Sequence, residues 1–345
     1  KFFCCLATVR FAPPNKRPME LKYSQQIAGT LNLSLKQISS IYELHSEGST
    51  IPFIARYRKE ATGNLDEVVI GNVIDQIKYF NELEKRKETV LKTIEEAGKL
   101  TPELKKRIED CINATELEDI YLPYKPKRKT KASLAIEKGL EPLAKLLFEQ
   151  GPENPEAAAV KFINEQVKDT AEALQGARDI MAEWVAENEQ ARNIVRKLFT
   201  EEATVSSRVL TTKKDEADAQ KYRDYFEFKE PLAQSPSHRI LAIRRGEKEG
   251  FLIMTINIEK EMAHAELKRV FLKSPGLAAK QVEHAVEDSY NRLLQPSIET
   301  EFRMASKTKA DEEAIRVFAE NLRQLLLASP LGQKRVMAID PGFRT

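Results

Sequence analysis

The chain has 345 residues, 41% of them hydrophobic and 31% charged, a balance that excludes a disordered tail or a membrane-embedded bundle and allows two or three domains with their own cores. Its 55 Lys and Arg against 53 Asp and Glu leave a formal net charge of +2, so attraction to a polyanion must come from a local patch. Three cysteines, Cys4, Cys5 and Cys111, are too few for a disulfide framework or a closed zinc site, and no run approaches the roughly 18 to 20 apolar residues that cross a bilayer, which together predict a reducing, cytoplasmic setting without a membrane partner.

Residues 1–18 begin with a short apolar run, Phe2 to Val9, that lacks a small-residue cleavage site and passes into a proline-rich stretch. They read as a disordered or non-native leader ahead of a folded region over 19–330. From Tyr23 onward, Ile27, Leu31, Leu35, Ile38, Ile41 and Leu44 recur at spacings of three and four, predicting two short helices with Ser34 as the N-cap between them and Gly48 as the stop, the layout of a helix-turn-helix unit. Asp66 is placed to cap a long helix to about Ala97, carried by Val69, Val73, Ile77, Phe80, Leu83, Leu91 and Ile94, with a charge-laced middle, Glu82 to Glu88, expected to be solvated. Gly98 ends it, and Thr101-Pro102-Glu103 starts the next helix of a helical hairpin.

A second long helix is predicted from Thr170 to about Glu202 on Leu174, Ala177, Met181, Trp184, Val185, Ile194 and Leu198, with Trp184 as a packing anchor. The one strand pair expected is Arg239–Ile243 with Phe251–Ile256, a β-hairpin near 239–256 around the turn Gly246–Gly250. Helical spacing returns through Leu294 and again from Asp311 to Leu327. Arg335–Ile339 is a short β-compatible run that finishes in Asp340-Pro341-Gly342, the first strand of a new α/β domain over 331–345.

The densest cationic feature is Lys125, Lys127, Arg128, Lys129 and Lys131, interleaved with Pro123 and Pro126 and flanked by Tyr121 and Tyr124. Prolines stiffen such a segment and withhold backbone donors, so its cations can follow phosphates while the tyrosines stack on bases; the bland reading is a solvated loop with its tyrosines in the core. Arg56 and Lys59 lie three apart and would share a helix face, with Arg58 pointing elsewhere; here an arginine held by Glu67 or Glu60 at a structural junction is the preferred reading. The four histidines, His45, His238, His264 and His284, show no zinc-protease spacing, and no phosphate-binding glycine loop or nucleophile elbow occurs, so neither catalysis nor a cofactor is expected.

Four segments, in order, resemble the Tex family of transcription accessory proteins: Ile51-Pro52-Phe53-Ile54-Ala55-Arg56-Tyr57-Arg58-Lys59-Glu60-Ala61-Thr62-Gly63, Glu116-Leu117-Glu118-Asp119-Ile120-Tyr121-Leu122-Pro123-Tyr124-Lys125-Pro126-Lys127-Arg128, Pro236-Ser237-His238-Arg239, and Ala338-Ile339-Asp340-Pro341-Gly342-Phe343-Arg344-Thr345. The resemblance covers nearly all of 23–345. It implies a helical N-terminal region with helix-turn-helix-like parts, followed by a YqgF domain of RNase H-like fold, helix-hairpin-helix modules and an OB-fold RNA-binding domain, of which this chain holds only the first strand of the YqgF part. Asp340 then stands where RNase H-like domains of the RuvC type place their first metal-binding carboxylate; its partner carboxylates would come from sequence not present here.

The expected fold is mainly α and multi-helical, with one β-hairpin and the first strand of a truncated RNase H-like α/β domain. The expected function is a non-catalytic scaffold that binds nucleic acid, RNA or also DNA, and works with RNA polymerase or other transcription machinery. Two competitors are a protein-only interaction platform and part of a metal-dependent nuclease completed by a missing C-terminal half.

Overall fold

The computed structural model describes residues 21–126, 129–273, 275–328 and 334–339. They are mainly helical, with one three-stranded antiparallel sheet. The chain divides into two compact units at Pro126/Lys127, within the span 19–330 expected to form one region.

The first unit is all helix: α1 (Leu21–Leu31), α2 (Leu35–Ser46), α3 (Ile51–Tyr57), α4 (Lys59–Thr62), α5 (Glu67–Glu96), α6 (Pro102–Asp110) and α7 (Ala114–Tyr121), closed by a 3₁₀ turn at Leu122–Tyr124. The predicted caps are in place. The Ser34 hydroxyl accepts the Gln37 N–H at 3.3 Å while the Gln37 side chain accepts the Ser34 N–H at 3.0 Å, a reciprocal capping box. Asp66 accepts the Val69 N–H at 2.8 Å, Thr101 accepts the Leu104 N–H at 3.2 Å, and Gly48 and Gly98 take the left-handed φ values of +93° and +66° that let the chain leave α2 and α5. Ile27, Ile38, Ile41, Ile54, Ile70, Ile74 and Ile94 are fully buried in one core, each contributing about 1.5–3 kcal/mol of apolar transfer energy.

The middle of α5 departs from expectation. Leu83 and Lys87 are each 2% exposed, and the Lys87 ammonium donates to the Tyr23 hydroxyl at 2.9 Å, to Glu84 at 3.0 Å and to the Glu109 carbonyl at 2.9 Å. One buried cation thus ties α1, α5 and α6 together, its charge tolerated only because all three donors are used.

The second unit comprises α8 (Lys131–Glu137), α9 (Glu141–Glu149), α10 (Pro155–Val160), α11 (Thr170–Glu187), α12 (Glu189–Glu202), β1 (Thr204–Val209), β2 (Glu227–Pro231), α13 (Ser237–Lys248), β3 (Leu252–Asn257), α14 (Lys260–Phe271), α15 (Leu277–Ser289) and α16 (Gln295–Leu327), a π-helical turn at Tyr290–Leu294 joining the last two. The sheet runs β2-β1-β3, with Val205 opposite both Glu230 and Ile256. Helix side chains close the outer edge of β3: Glu299 accepts the Ile256 N–H at 3.1 Å, and Arg303 donates to the Met254 carbonyl and, at 2.5 Å, to Glu247. An edge strand whose polar groups are satisfied in this way offers little template for another strand. Trp184 packs edge-on against Phe148 at 5.6 Å, the anchoring role its place in the sequence suggested.

Three expectations are corrected here. The helix predicted over 170–202 is two helices, because Asn188 leaves helical geometry at φ −72°, ψ 122° and caps α12 by accepting the Ala191 N–H at 3.1 Å. Arg239–Ile243 is not a strand but part of α13, in which Ile240, Ile243 and Gly246 recur every three residues on the buried face. Its supposed partner, β3, pairs instead with β1, some fifty residues earlier in sequence, an alternative that local pattern reading does not see. Residues 334–339 are exposed and form no strand; a β-compatible run needs a neighbouring strand to take up its backbone groups, and no described residue supplies one.

Candidate nucleic-acid interface

The basic run straddles the boundary between the two units. Lys125 follows the 3₁₀ turn of the first unit, its N–H bonded to the Tyr121 carbonyl at 3.1 Å. Lys127 and Arg128 lie outside the described residues. Lys131 is not in a loop at all: it is the first residue of α8, behind an N-cap in which Thr130 and Ser133 exchange hydrogen bonds of 3.0 and 2.8 Å. Lys125, Lys129 and Lys131 are exposed, and none of them makes an ion pair among the described residues. These three cations are therefore free for a phosphate.

Of the flanking tyrosines, Tyr121 is not open as the stacking surface that the sequence suggested. Tyr121 is 6% exposed within the first unit's core, and the Arg86 guanidinium sits over its ring at 5.3 Å, held by Glu118 through hydrogen bonds of 2.5 and 3.0 Å. Those bonds also hold the Arg86 guanidinium above its ordinary pKa. Tyr124 is half-buried against the same core. The physical reason is local: α7 carries Leu117, Ile120 and Tyr121 on one face, and that face packs inward.

Arg56 and Lys59 do not share a helix face. The helix breaks between them at Arg58, whose φ of −127° and ψ of 33° end α3 before α4 begins. Arg56 is tied to Glu67 at 3.1 Å, the structural junction preferred from sequence, whereas Lys59 is exposed. The same break brings together residues that pattern reading had passed over. Phe53 and Tyr57, four apart on α3, are 39% and 60% exposed with ring centroids 5.3 Å apart, and the Arg58 guanidinium lies over the Phe53 ring at 5.5 Å. The available signal was the four-residue spacing of two aromatics on a helix whose intervening Ile54 and Ala55 are the inward pair.

Asp340 lies outside the described residues. Among the described residues, no group of three or more His, Cys, Asp or Glu side chains is arranged to hold a metal ion, and no helix is long and apolar enough to cross a membrane.

Residues 21–95 match the Tex-like protein N-terminal domain, and residues 151–318 match the Tex central region-like family, together more than two thirds of the chain. The chain belongs to the Tex family. Among its relatives are the Bacillus subtilis protein YdcI, 41% identical over 325 residues that make up 93% of this chain and 45% of that one, and the Neisseria gonorrhoeae transcriptional accessory protein Tex, 40% identical over 91% of this chain and 42% of that one. The human S1 RNA-binding domain-containing protein 1 is 28% identical over 96% of this chain and 35% of its own length. The chain thus spans less than half the length of these relatives. Within this Tex-family chain, the α3 surface lies inside the N-terminal match, while Lys125, Lys129 and Lys131 fall in the interval between the two matched regions.

Proposed function

We propose that this chain is a nucleic-acid-binding transcription accessory scaffold, cytoplasmic and non-catalytic, that binds RNA, with DNA as a further partner, and works beside RNA polymerase or its associated factors. The observation that carries the reading is the set of three exposed cations, Lys125, Lys129 and Lys131, without an ion pair among the described residues and within seven positions along a chain that is otherwise near neutrality. The names of two relatives, a transcriptional accessory protein and an S1 RNA-binding domain-containing protein, support it. Cations spaced this way neutralise neighbouring phosphates, and the counterions released make affinity fall with salt.

The test is the salt dependence of binding to a labelled single-stranded RNA. Affinity is expected to fall steeply with ionic strength, and Lys125→Ala, Lys129→Ala and Lys131→Ala combined should flatten the log–log slope by about 2, at roughly 0.7 per lost contact. Salt-independent or undetectable binding would defeat the reading. One observation favours a protein-only platform: beyond Glu312, α16 carries Ile315, Phe318, Leu322 and Leu326 on a solvent-exposed flank. On that reading the triple substitution changes no nucleic-acid affinity. Asp340 has no catalytic part in the proposal, and labelled strands incubated with the chain and magnesium or manganese should stay intact.

A further inference from the structure

Of the tyrosines at the basic run Tyr121 is buried and Tyr124 half-buried, yet the first unit does display aromatic surface elsewhere. Phe53 and Tyr57 face solvent from α3 as a contiguous ring pair, 5.3 Å between centroids, and the Tyr57 hydroxyl has no partner among the described residues. The core does not need them: the helix is anchored through Ile54, fully buried, and Ala55, 6% exposed. The two rings form one contiguous patch and not singly scattered side chains.

The setting is rigid and positive. Pro52 stands in the first turn of α3, and the chain leaving α4 turns through Gly63 at φ +70° while the Gln37 amide donates to the Thr62 carbonyl at 3.0 Å. Between Ile51 and Gly63 there are three cations, Arg56, Arg58 and Lys59, and one carboxylate, Glu60. Arg56 is committed to Glu67; Arg58 lies over the Phe53 ring and Lys59 is exposed, and neither makes an ion pair among the described residues.

We propose that Phe53, Tyr57, Arg58 and Lys59 form a stacking platform for unpaired bases of a single-stranded nucleic acid. The inference rests on the nucleic-acid reading above and assigns the base-contacting part of that function to a second place in the chain. The Tyr57 ring offers a π-face that any base can cover, the Arg58 guanidinium lying over Phe53 presents its own planar face beside it with Phe53 as its support, and Lys59 supplies a point charge for the adjoining phosphate. Charge complementarity selects a polyanion over an apolar protein segment, because the patch is rimmed by free cations and not by further exposed aliphatic side chains of α3.

The experiment uses the intact chain and fluorescence anisotropy with three labelled probes: an oligouridine RNA, the DNA strand of matching length, and a duplex. Tyr57→Ala is expected to weaken single-strand binding by about fivefold or more, and Phe53→Ala with Tyr57→Ala by about 25-fold or more. Both should leave duplex affinity and the salt slope unchanged. The exchange pair Phe53→Tyr with Tyr57→Phe keeps both rings and should bind like the parent, which separates stacking from a folding defect. Arg58→Gln with Lys59→Gln should lower the salt slope by about 1.4. Loss with RNA and DNA alike means that base faces alone are read; loss with RNA alone adds contact to the 2′-hydroxyl, and either result supports the platform. A folded Tyr57→Ala variant that binds single strands like the parent overturns it, as a protein-contacting surface would require. If that result comes with a loss in the Lys125, Lys129 and Lys131 variant, the reading of the basic run survives alone. A parent chain with no salt-sensitive binding overturns both.

Discussion

The Arg86 guanidinium covers the Tyr121 ring at 5.3 Å while gripping Glu118 with two hydrogen bonds. This contact converts Tyr121 from a candidate base-binding residue into part of the fold, because a ring face occupied by a guanidinium on a core-packed helix is closed to a nucleobase.

Tyr121→Ala should therefore act on stability and not on binding by the folded protein. Removing a ring that is 6% exposed is expected to cost about 3 kcal/mol or more. Arg86→Ala, breaking a half-exposed pair, should cost about 1 kcal/mol. Denaturant unfolding followed by RNA titration of the folded fraction separates the two effects; a Tyr121→Ala variant of parental stability with weakened RNA affinity would restore the tyrosine to the interface.

The Lys87 network predicts an asymmetry between its partners. Lys87 is 2% exposed and Glu84 34%, so Glu84→Leu leaves a buried ammonium without its counter-charge, about 3 kcal/mol of destabilisation, whereas Lys87→Met leaves a carboxylate that water can reach and should cost about half as much. Equal losses in urea unfolding would contradict this.

The same pair sets a pH dependence. Burial works to raise the Glu84 carboxyl, but hydrogen bonds from Tyr23 and Lys87 outweigh it and hold the group below its ordinary 4.5. A folded value below the unfolded one means that the contribution is complete above pH 4.5 and is lost as pH falls through the folded value. Burial lowers the Lys87 ammonium below its ordinary 10.5, so on its account stability rises as pH climbs between the folded and unfolded values. Parent protein should lose more stability than Lys87→Met between about pH 5 and about pH 3, measured by urea unfolding at both.

Gly246 tests the helix that replaced the expected hairpin. A Cβ built there would stand 2.7 Å from Leu252 Cδ1 and 3.1 Å from Tyr222 Cδ1, so α13 reaches β3 this closely only because the position is glycine. Gly246→Ala gains about 1 kcal/mol of helix propensity yet should lower overall stability by about 1–3 kcal/mol through overpacking. A stabilised variant would mean that the contact is looser than described.

One helix, α16, should answer to mutation in two ways. Ile298 is fully buried, and Ile298→Ala is expected to cost about 2–5 kcal/mol; Leu326 is 75% exposed, and Leu326→Ala should change stability by no more than about 0.5 kcal/mol. Thermal melts of the two variants decide it.

Sequence by itself determined the features that neighbouring residues settle among themselves. Ser34, Asp66 and Thr101 cap the helices they precede, and Gly48 and Gly98 end theirs, because a cap bond or a left-handed φ involves a few residues along the chain. The exposure of Lys125, Lys129 and Lys131 was also legible, since exposure is the default for lysine. Tertiary structure alone decided the rest. It paired β3 with β1 and left Arg239–Ile243 to a helix, because strand partners are chosen by packing across long separations. It buried Lys87 in a stretch that reads as solvated, and covered Tyr121 with an arginine thirty-five positions earlier in the chain. It also turned Phe53 and Tyr57 outward, because Ile54 and Ala55 took the inward face of α3 and an aromatic residue carries no mark of which way its helix will rotate against a core.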